Sequence, residues 1–273
     1  MSREVDTKPG RYLYCLVDSG ERKQIGEVGI EGNQVYSITF RDVGAIVHDC
    51  AADPYNSDDE EEIKRWVKSH QDVLDEVMND PDYDSLIPAG FDTIIRPKDE
   101  RNVKVTVQSW LQTEYDSIKK QLSKVRNKEE YGVHVTYDPD WLSEKIPKDT
   151  ERVRSLKKKI DAKPDGAAYL YKEKLDKLLS DRMEEEKESM REEFLELIEP
   201  VTIDMVQEDE KQFSGKGKTL LSLSCLVDEG EYQELGEVLE KIKGRTGLGV
   251  KFTGPWAPYS FTDLKKAQKG DSF

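Results

Sequence analysis

The pattern of apolar residues predicts an α+β protein of two domains. Three observations carry that expectation. Short β-branched and aromatic runs such as Tyr12–Val17 end in turn residues, here Asp18, Ser19 and Gly20. Stripes at helical spacing recur, as in Ile63, Trp66, His70, Val73, Leu74 and Val77. The second half then runs strand, helix, strand, strand, helix, strand, the split βαβ order of a ferredoxin-like domain. The expected division is an N-terminal α+β domain over residues 10–127, a modified ferredoxin-like unit with a small mixed sheet and two amphipathic helices. A C-terminal ferredoxin-like domain follows over 128–264, its first helix extended into a hairpin, and then a polar tail at 265–273.

In the first domain, Tyr12–Val17 opens as a strand. Gly26, Gly29 and Gly32 mark a turn, and Gln34–Phe40 and Val43–His48 follow as strands. The acidic cluster Asp58–Glu62 starts a helix, where negative charge suits the positive end of the dipole, and Pro81 stops it. Val67 and Met78 join the stripe above on its inward face. Leu86–Phe91 reads as an extended edge segment, because Pro88 cannot donate to a central ladder. A second amphipathic helix spans about Lys98–Val125, turning Val103, Val107, Trp110, Leu111, Ile118, Leu122 and Val125 inward.

The second domain begins with a strand at Tyr131–Tyr137. A helical region breaks at Lys163-Pro164-Asp165-Gly166 into a short helix and a long one over 166–198, about 50 Å in length. The inner stripe of the long helix is Leu175, Leu179, Met183, Met190, Phe194 and Leu197. Strands at Val201–Val206 and Thr219–Val227, a helix at Tyr232–Lys243 and a strand at Leu248–Phe252 complete the order.

Composition excludes several function classes. The 273 residues carry 57 Asp and Glu against 42 Lys and Arg, a formal net charge of −15. A nucleic-acid partner requires a basic face to displace phosphate counterions, so none is expected. No run approaches the length of a membrane span, and Met1–Asp6 has no apolar core of a secretory signal. Cys15, Cys50 and Cys225 are odd in number and far apart, which suits a reducing, cytoplasmic setting.

No catalytic, cofactor or metal site emerges. Gly215-Lys216-Gly217-Lys218-Thr219 ends like a phosphate-binding loop, but the position that needs the first Gly is Gln212 and a strand, not a helix, follows. His48, His70 and His134 are widely separated with no Cys or His at ligand spacing. His70 lies on an apolar helix face and reads as a core or interface residue. Cys15 and Cys225 read as buried hydrophobes.

The most distinctive run is Phe252-Thr253-Gly254-Pro255-Trp256-Ala257-Pro258-Tyr259-Ser260-Phe261, with four aromatics, two prolines and no charge. Its prolines stiffen the backbone that presents the aromatics. Phe252, Trp256, Pro258, Tyr259 and Phe261 are therefore candidate partner-binding residues, against the plainer reading that they tie the terminus to the core.

That run resembles the terminal Thr-Gly-Pro-Trp-Pro-Pro-Tyr-Ser-Phe signature of the gas vesicle protein F/L family (GvpF/GvpL), with Ala257 at the first of two adjacent prolines. Leu86–Thr93 is similar to that family's Leu-Pro-x-x-Phe-Gly-Thr segment, with Ile87 for Leu and Asp92 for Gly. Glu130-Tyr131-Gly132-Val133 resembles its Glu-Trp-Gly-Val strand, and Gly166–Leu170 its Gly-x-x-Tyr-Leu helix start. His70, Val73 and Leu74 match its first amphipathic helix. The resemblance implies a non-enzymatic accessory or minor structural component of gas vesicles in the cytoplasm. Such a protein would bind the hydrophobic shell protein and other gas vesicle accessory proteins during assembly, without a cofactor. The alternative class is a small-molecule-binding regulator or enzyme on ferredoxin-like domains, with a site around His70 and Asp92.

Overall fold

The computed structural model describes residues 9–97, 103–146, 150–209 and 217–264. The polar tail expected at 265–273 lies outside them. The chain divides into two compact units, one formed by the chain up to Glu130 and again from Pro255, the other by Tyr131–Gly254. The sequence-based split is placed at 127/128. It leaves residues 255–264 with the second domain, whereas they pack with the first unit, because their side chains find partners there.

In the first unit the elements are β1 (Pro9–Val17), β2 (Gln24–Gly26), β3 (Val35–Phe40), β4 (Val43–Ala51), α1 (Glu60–Met78), β5 (Leu86–Pro88), β6 (Ile94–Ile95), α2 (Val103–Thr113) and α3 (Tyr115–Val125). The sheet order is β2-β3-β4-β1-β5, with β6 also on β1. The pairings of β1 with β4, β5 and β6, and of β3 with β2 and β4, are all antiparallel, so the expected mixed sheet is corrected. β5 sits at the sheet edge, where its proline costs no ladder bond.

β1 is buried on both faces. Tyr12, Tyr14, Cys15 and Val17 pack with Val73, Leu74 and Val77 of α1, while Leu13 and Leu16 pack with Val107, Leu111, Ile118 and Leu122 of α2 and α3. A register shift between Leu13 and Cys15 explains why Tyr14 and Cys15 share a face: the inserted residue reverses the alternation beyond it. Asp59 caps α1 by accepting the Glu61 amide at 2.9 Å. Val67, expected inward on α1, is instead 44% exposed, since it sits at the margin of the apolar arc. Of the single helix expected over Lys98–Val125, residues 98–102 lie outside the described residues, and the rest is two helices, interrupted at Glu114, where ψ is 8°. β2 and β6 are too short to carry a period and escape sequence reading.

In the second unit the elements are β7 (Lys128–Tyr137), α4 (Pro139–Lys145), α5 (Glu151–Asp161), α6 (Asp165–Ile198), β8 (Asp204–Gln207), β9 (Lys218–Asp228), α7 (Tyr232–Lys243) and β10 (Leu248–Trp256). The sheet order is β10-β7-β9-β8. The expected short helix before α6 is two, α4 and α5. The core gathers Val133, Val135 and Tyr137 of β7, Met190, Phe194 and Ile198 of α6, alternate residues of β9, and Leu235, Leu239 and Ile242 of α7. On α6, Ile198 takes the buried place expected for Leu197, which is 40% exposed: four residues from Phe194 completes a helical face better than three here. Gly247 has φ +77°, and a side chain there would strike the Trp141 ring, so only glycine fits.

Candidate functional site

The first unit contains a buried network of aromatic and histidine side chains that starts from strand geometry. Tyr12 and Tyr14, two apart on β1, share one face beneath α1. The Tyr14 hydroxyl accepts the Ile30 amide at 3.0 Å and contacts His48 Nδ1 at 2.8 Å; His48 Nε2 lies 3.0 Å from the Tyr55 hydroxyl. The Tyr12 hydroxyl accepts the Asp92 amide at 3.0 Å and contacts His70 Nδ1 at 2.9 Å; His70 Nε2 lies 3.2 Å from the Ala89 carbonyl and 3.3 Å from the Tyr259 hydroxyl. At His70 the Ala89 carbonyl can only accept, which puts a proton on Nε2 and lets the neutral ring's Nδ1 accept from the Tyr12 hydroxyl. At His48 both ring nitrogens face hydroxyls, of Tyr14 and Tyr55, and either neutral tautomer is satisfied.

Burial lowers the pKa of both histidines to about 4, with the Ala89 carbonyl opposing the shift at His70 and Asp49 opposing it at His48. Desolvation raises the Tyr12, Tyr14, Tyr55 and Tyr259 hydroxyls, so all stay protonated. Tyr12 stacks on His48 with centroids 5.0 Å apart, and Tyr14 on His70 at 5.5 Å, interlocking the two chains of bonds. This is a fully paired polar core with no ionised member.

Onto this unit the chain returns as a strap. Ala257 is fully buried among the side chains packed under α1, and Pro258 is buried beside it. A proline at 257 would add bulk where no surface remains exposed. Glu130, 7% exposed, accepts the Ser260 amide and the Ser260 hydroxyl, each at 2.8 Å. Phe261 is buried with the Lys124 ammonium 5.6 Å from its ring. The Asp263 amide donates to the Gln121 side chain at 2.7 Å.

The five predicted site residues are thus divided. Phe252 belongs to the second unit, half-buried and stacked on Tyr131 at 5.2 Å. Pro258 and Phe261 are anchors. Trp256 and Tyr259 remain 41% and 39% exposed. His48 and His70 share the network, whereas His134 lies in the second unit, 2.9 Å from the Ser222 hydroxyl. Asp92 adopts φ 64°, and its carboxylate accepts the Tyr55 amide at 2.8 Å.

A cleft of about 680 Å³ lies beside Tyr55 and Trp66, with Arg11, Glu31, Asp49 and Asp53 on its walls. Arg11 is ion-paired to Asp49 at 3.0 Å. Among the described residues no group of three His, Cys, Asp or Glu is placed to hold a metal, and no helix is long and apolar enough to cross a membrane. Gly215 and Lys216 lie outside the described residues, and Lys218 enters β9 directly. Sequence reasoning passed over Tyr12, Tyr14, His48, Tyr55 and Glu130. The spacing of the two tyrosines on one strand face was the available signal; their partners are too distant in sequence to be seen.

Comparison with known proteins adds a whole-chain likeness. Residues 10–263 match the model of the family described as gas vesicle synthesis protein GvpL/GvpF. Gas vesicle protein L1 of Halobacterium salinarum is 29% identical over 260 residues, covering 92% of this chain and 90% of that protein. Gas vesicle protein L of Haloferax mediterranei is 27% identical over 292 residues, covering 92% and 87%. The crystal structure of GvpF from Anabaena sp. PCC7120 superposes with a TM-score of 0.68 at 18% identity, covering 93% of this chain and 98% of that one. GvpF from Microcystis aeruginosa superposes with a TM-score of 0.63 at 16% identity, covering 92% and 98%. At those identities the structures speak for the fold alone.

Proposed function

Because the chain belongs to the GvpL/GvpF gas vesicle synthesis family, we propose that it is a non-enzymatic accessory component that binds the hydrophobic shell protein and other accessory subunits during gas vesicle assembly. The reading puts its action at the gas vesicle, within the cytoplasm. Its main support is the strap. Ala257, Pro258 and Phe261 hold it to the first unit, while Trp256 and Tyr259 keep about two-fifths of their surface exposed on a segment without charge. Anchored aromatics are pre-ordered, so a partner that covers them loses little conformational entropy in doing so. The neutral, fully bonded histidines add support, since a catalytic imidazole needs a pKa nearer the working pH. We read both units as ferredoxin-like, the first in modified form; the β10-β7-β9-β8 order and the βαββαβ succession favour this for the second.

The test is co-purification with the shell protein, wild type against Trp256→Ala plus Tyr259→Ala. Capture by the double variant should fall roughly tenfold or more, as expected for losing two aromatic contacts. Undiminished capture by a folded double variant overturns docking through the strap. The alternative, a small-molecule-binding regulator or enzyme, has the cleft beside Tyr55 and Trp66 in its favour, and its signature would be stabilisation by a bound ligand.

A further inference from the structure

Helix α6 runs 34 residues, and α5, joined to it by residues 162–164, folds back along its N-terminal part. The Lys159 ammonium lies 5.9 Å from the Tyr171 ring, close to that turn. Charge is divided along this hairpin. Residues 151–178 hold nine Lys and Arg against five Asp and Glu, formally +4; residues 179–199 hold three against nine, formally −6. In a chain of net charge −15, the first stretch stands apart. Arg152, Lys157, Lys158 and Lys159 are exposed, as are Glu184, Glu185 and Glu188.

Helix stability does not account for the arrangement. A helix C-terminus favours bases, yet the last turn of α6 has none, and Glu192, Glu193 and Glu196 crowd towards it. The pairs Lys187–Glu184, Arg182–Glu185 and Arg191–Glu188 are local with solvated carboxylates. Lys145 on Glu186 and Arg245 on Glu193 add two bases from outside the stretch, so its formal −6 falls to −4 and an acidic excess stays in place. The two poles are centred about 27 Å apart at 1.5 Å per residue. That exceeds the Debye length of about 10 Å at 0.1 M salt, so only charges near the junction of the two stretches, such as Lys177 and Asp181, screen each other within one chain.

We propose that this hairpin is a self-complementary rod that pairs antiparallel with the same hairpin of a second copy of the chain. One two-fold axis crossing α6 near residue 180 brings each basic pole onto the other copy's acidic pole, so a single symmetric interface satisfies both. A partner of one charge sign engages one pole and is repelled by the other. At moderate salt the overall repulsion between two acidic molecules is screened beyond about 10 Å, while contacts between facing poles persist.

Sedimentation velocity of the full chain, over a concentration series, tests this at about 0.1 M and about 1 M salt, where the Debye length is about 10 Å and about 3 Å. The wild type should self-associate at the lower salt and roughly tenfold or more weakly at the higher. Lys157→Glu with Lys158→Glu and Lys159→Glu should abolish association, and so should Glu184→Lys with Glu185→Lys and Glu188→Lys. Mixing the two folded variants should restore association in part, since the −6 pole of the first meets the +4 pole of the second at one of the two contacts, while the other pairs −2 with a neutral stretch. A wild type that stays monomeric at the lower salt overturns the proposal. So does association that charge reversal leaves unchanged, or a mixture of folded variants that stays apart.

Discussion

The two units solve the problem of a core differently. The first places two histidines and two tyrosines in its interior and satisfies each by hydrogen bonds, so its packing depends on protonation states. The second fills its interior mainly with Val, Leu, Ile and Phe, with Tyr131 and Tyr137 among them, from three helices (α4, α6 and α7) and two strands (β7 and β9), and α6 carries many of its charges on its surface. A polar core of this kind specifies one arrangement but is costly when any member changes charge. An apolar core is indifferent to pH and sensitive to lost volume. Perturbing each unit by the other's weakness sharpens that contrast.

The largest effect should come from acid. The fall from 6.5 to about 4 at His48 and His70 is worth about 3 kcal/mol for each ring. Between those pH values the unfolded chain binds protons that the folded first unit does not. Stability is therefore full above pH 6.5 and declines as pH falls towards 4. Hydrogen exchange followed across that range should show β1 and β4 losing protection well before β7 and β9. Equal loss in both units would break the comparison. Removal of Phe194 should act in the opposite place. It is fully buried, with the Arg245 guanidinium 5.1 Å from its ring, and Phe194→Ala should cost the second unit about 3–5 kcal/mol in chemical denaturation. That loss should be nearly the same at pH 5 and pH 8, because no buried titratable side chain depends on the ring.

Much of this was legible from local pattern, and the failures have physical causes. The stripe on α1 and the alternation in β9 are set by neighbours three, four or two positions away, so the sequence displays them directly. The bulge in β1 is not local: it moves Cys15 onto the Tyr14 face only because β4 pairs around it. The relay joins Tyr12 to His70 and Tyr14 to His48 across 58 and 34 residues, and Glu130 meets Ser260 across 130. Contacts at such separation are made by topology, which is why Glu130 looked like part of a strand and nothing more. The terminal decapeptide was conspicuous by composition, but composition could not divide anchors such as Phe261 from exposed residues such as Trp256.

The smallest effect concerns Asp92, where two terms nearly cancel. Its φ of 64° lies in the left-handed region, which costs a residue with a Cβ about 1 kcal/mol and glycine almost nothing. Against this, its carboxylate accepts the Tyr55 amide, a bond to a charged group worth about 1.5–3 kcal/mol, less where solvent reaches it. Asp92→Gly relieves the first and forfeits the second, so stability should stay within about 1 kcal/mol of wild type. Asp92→Ala loses the bond as well but keeps the strain, and should cost about 1 kcal/mol more than the glycine variant. Thermal denaturation of the pair measures the difference. If alanine and glycine prove equal, the left-handed backbone carries no strain, and the polar core of the first unit is held without the local cost that this turn implies.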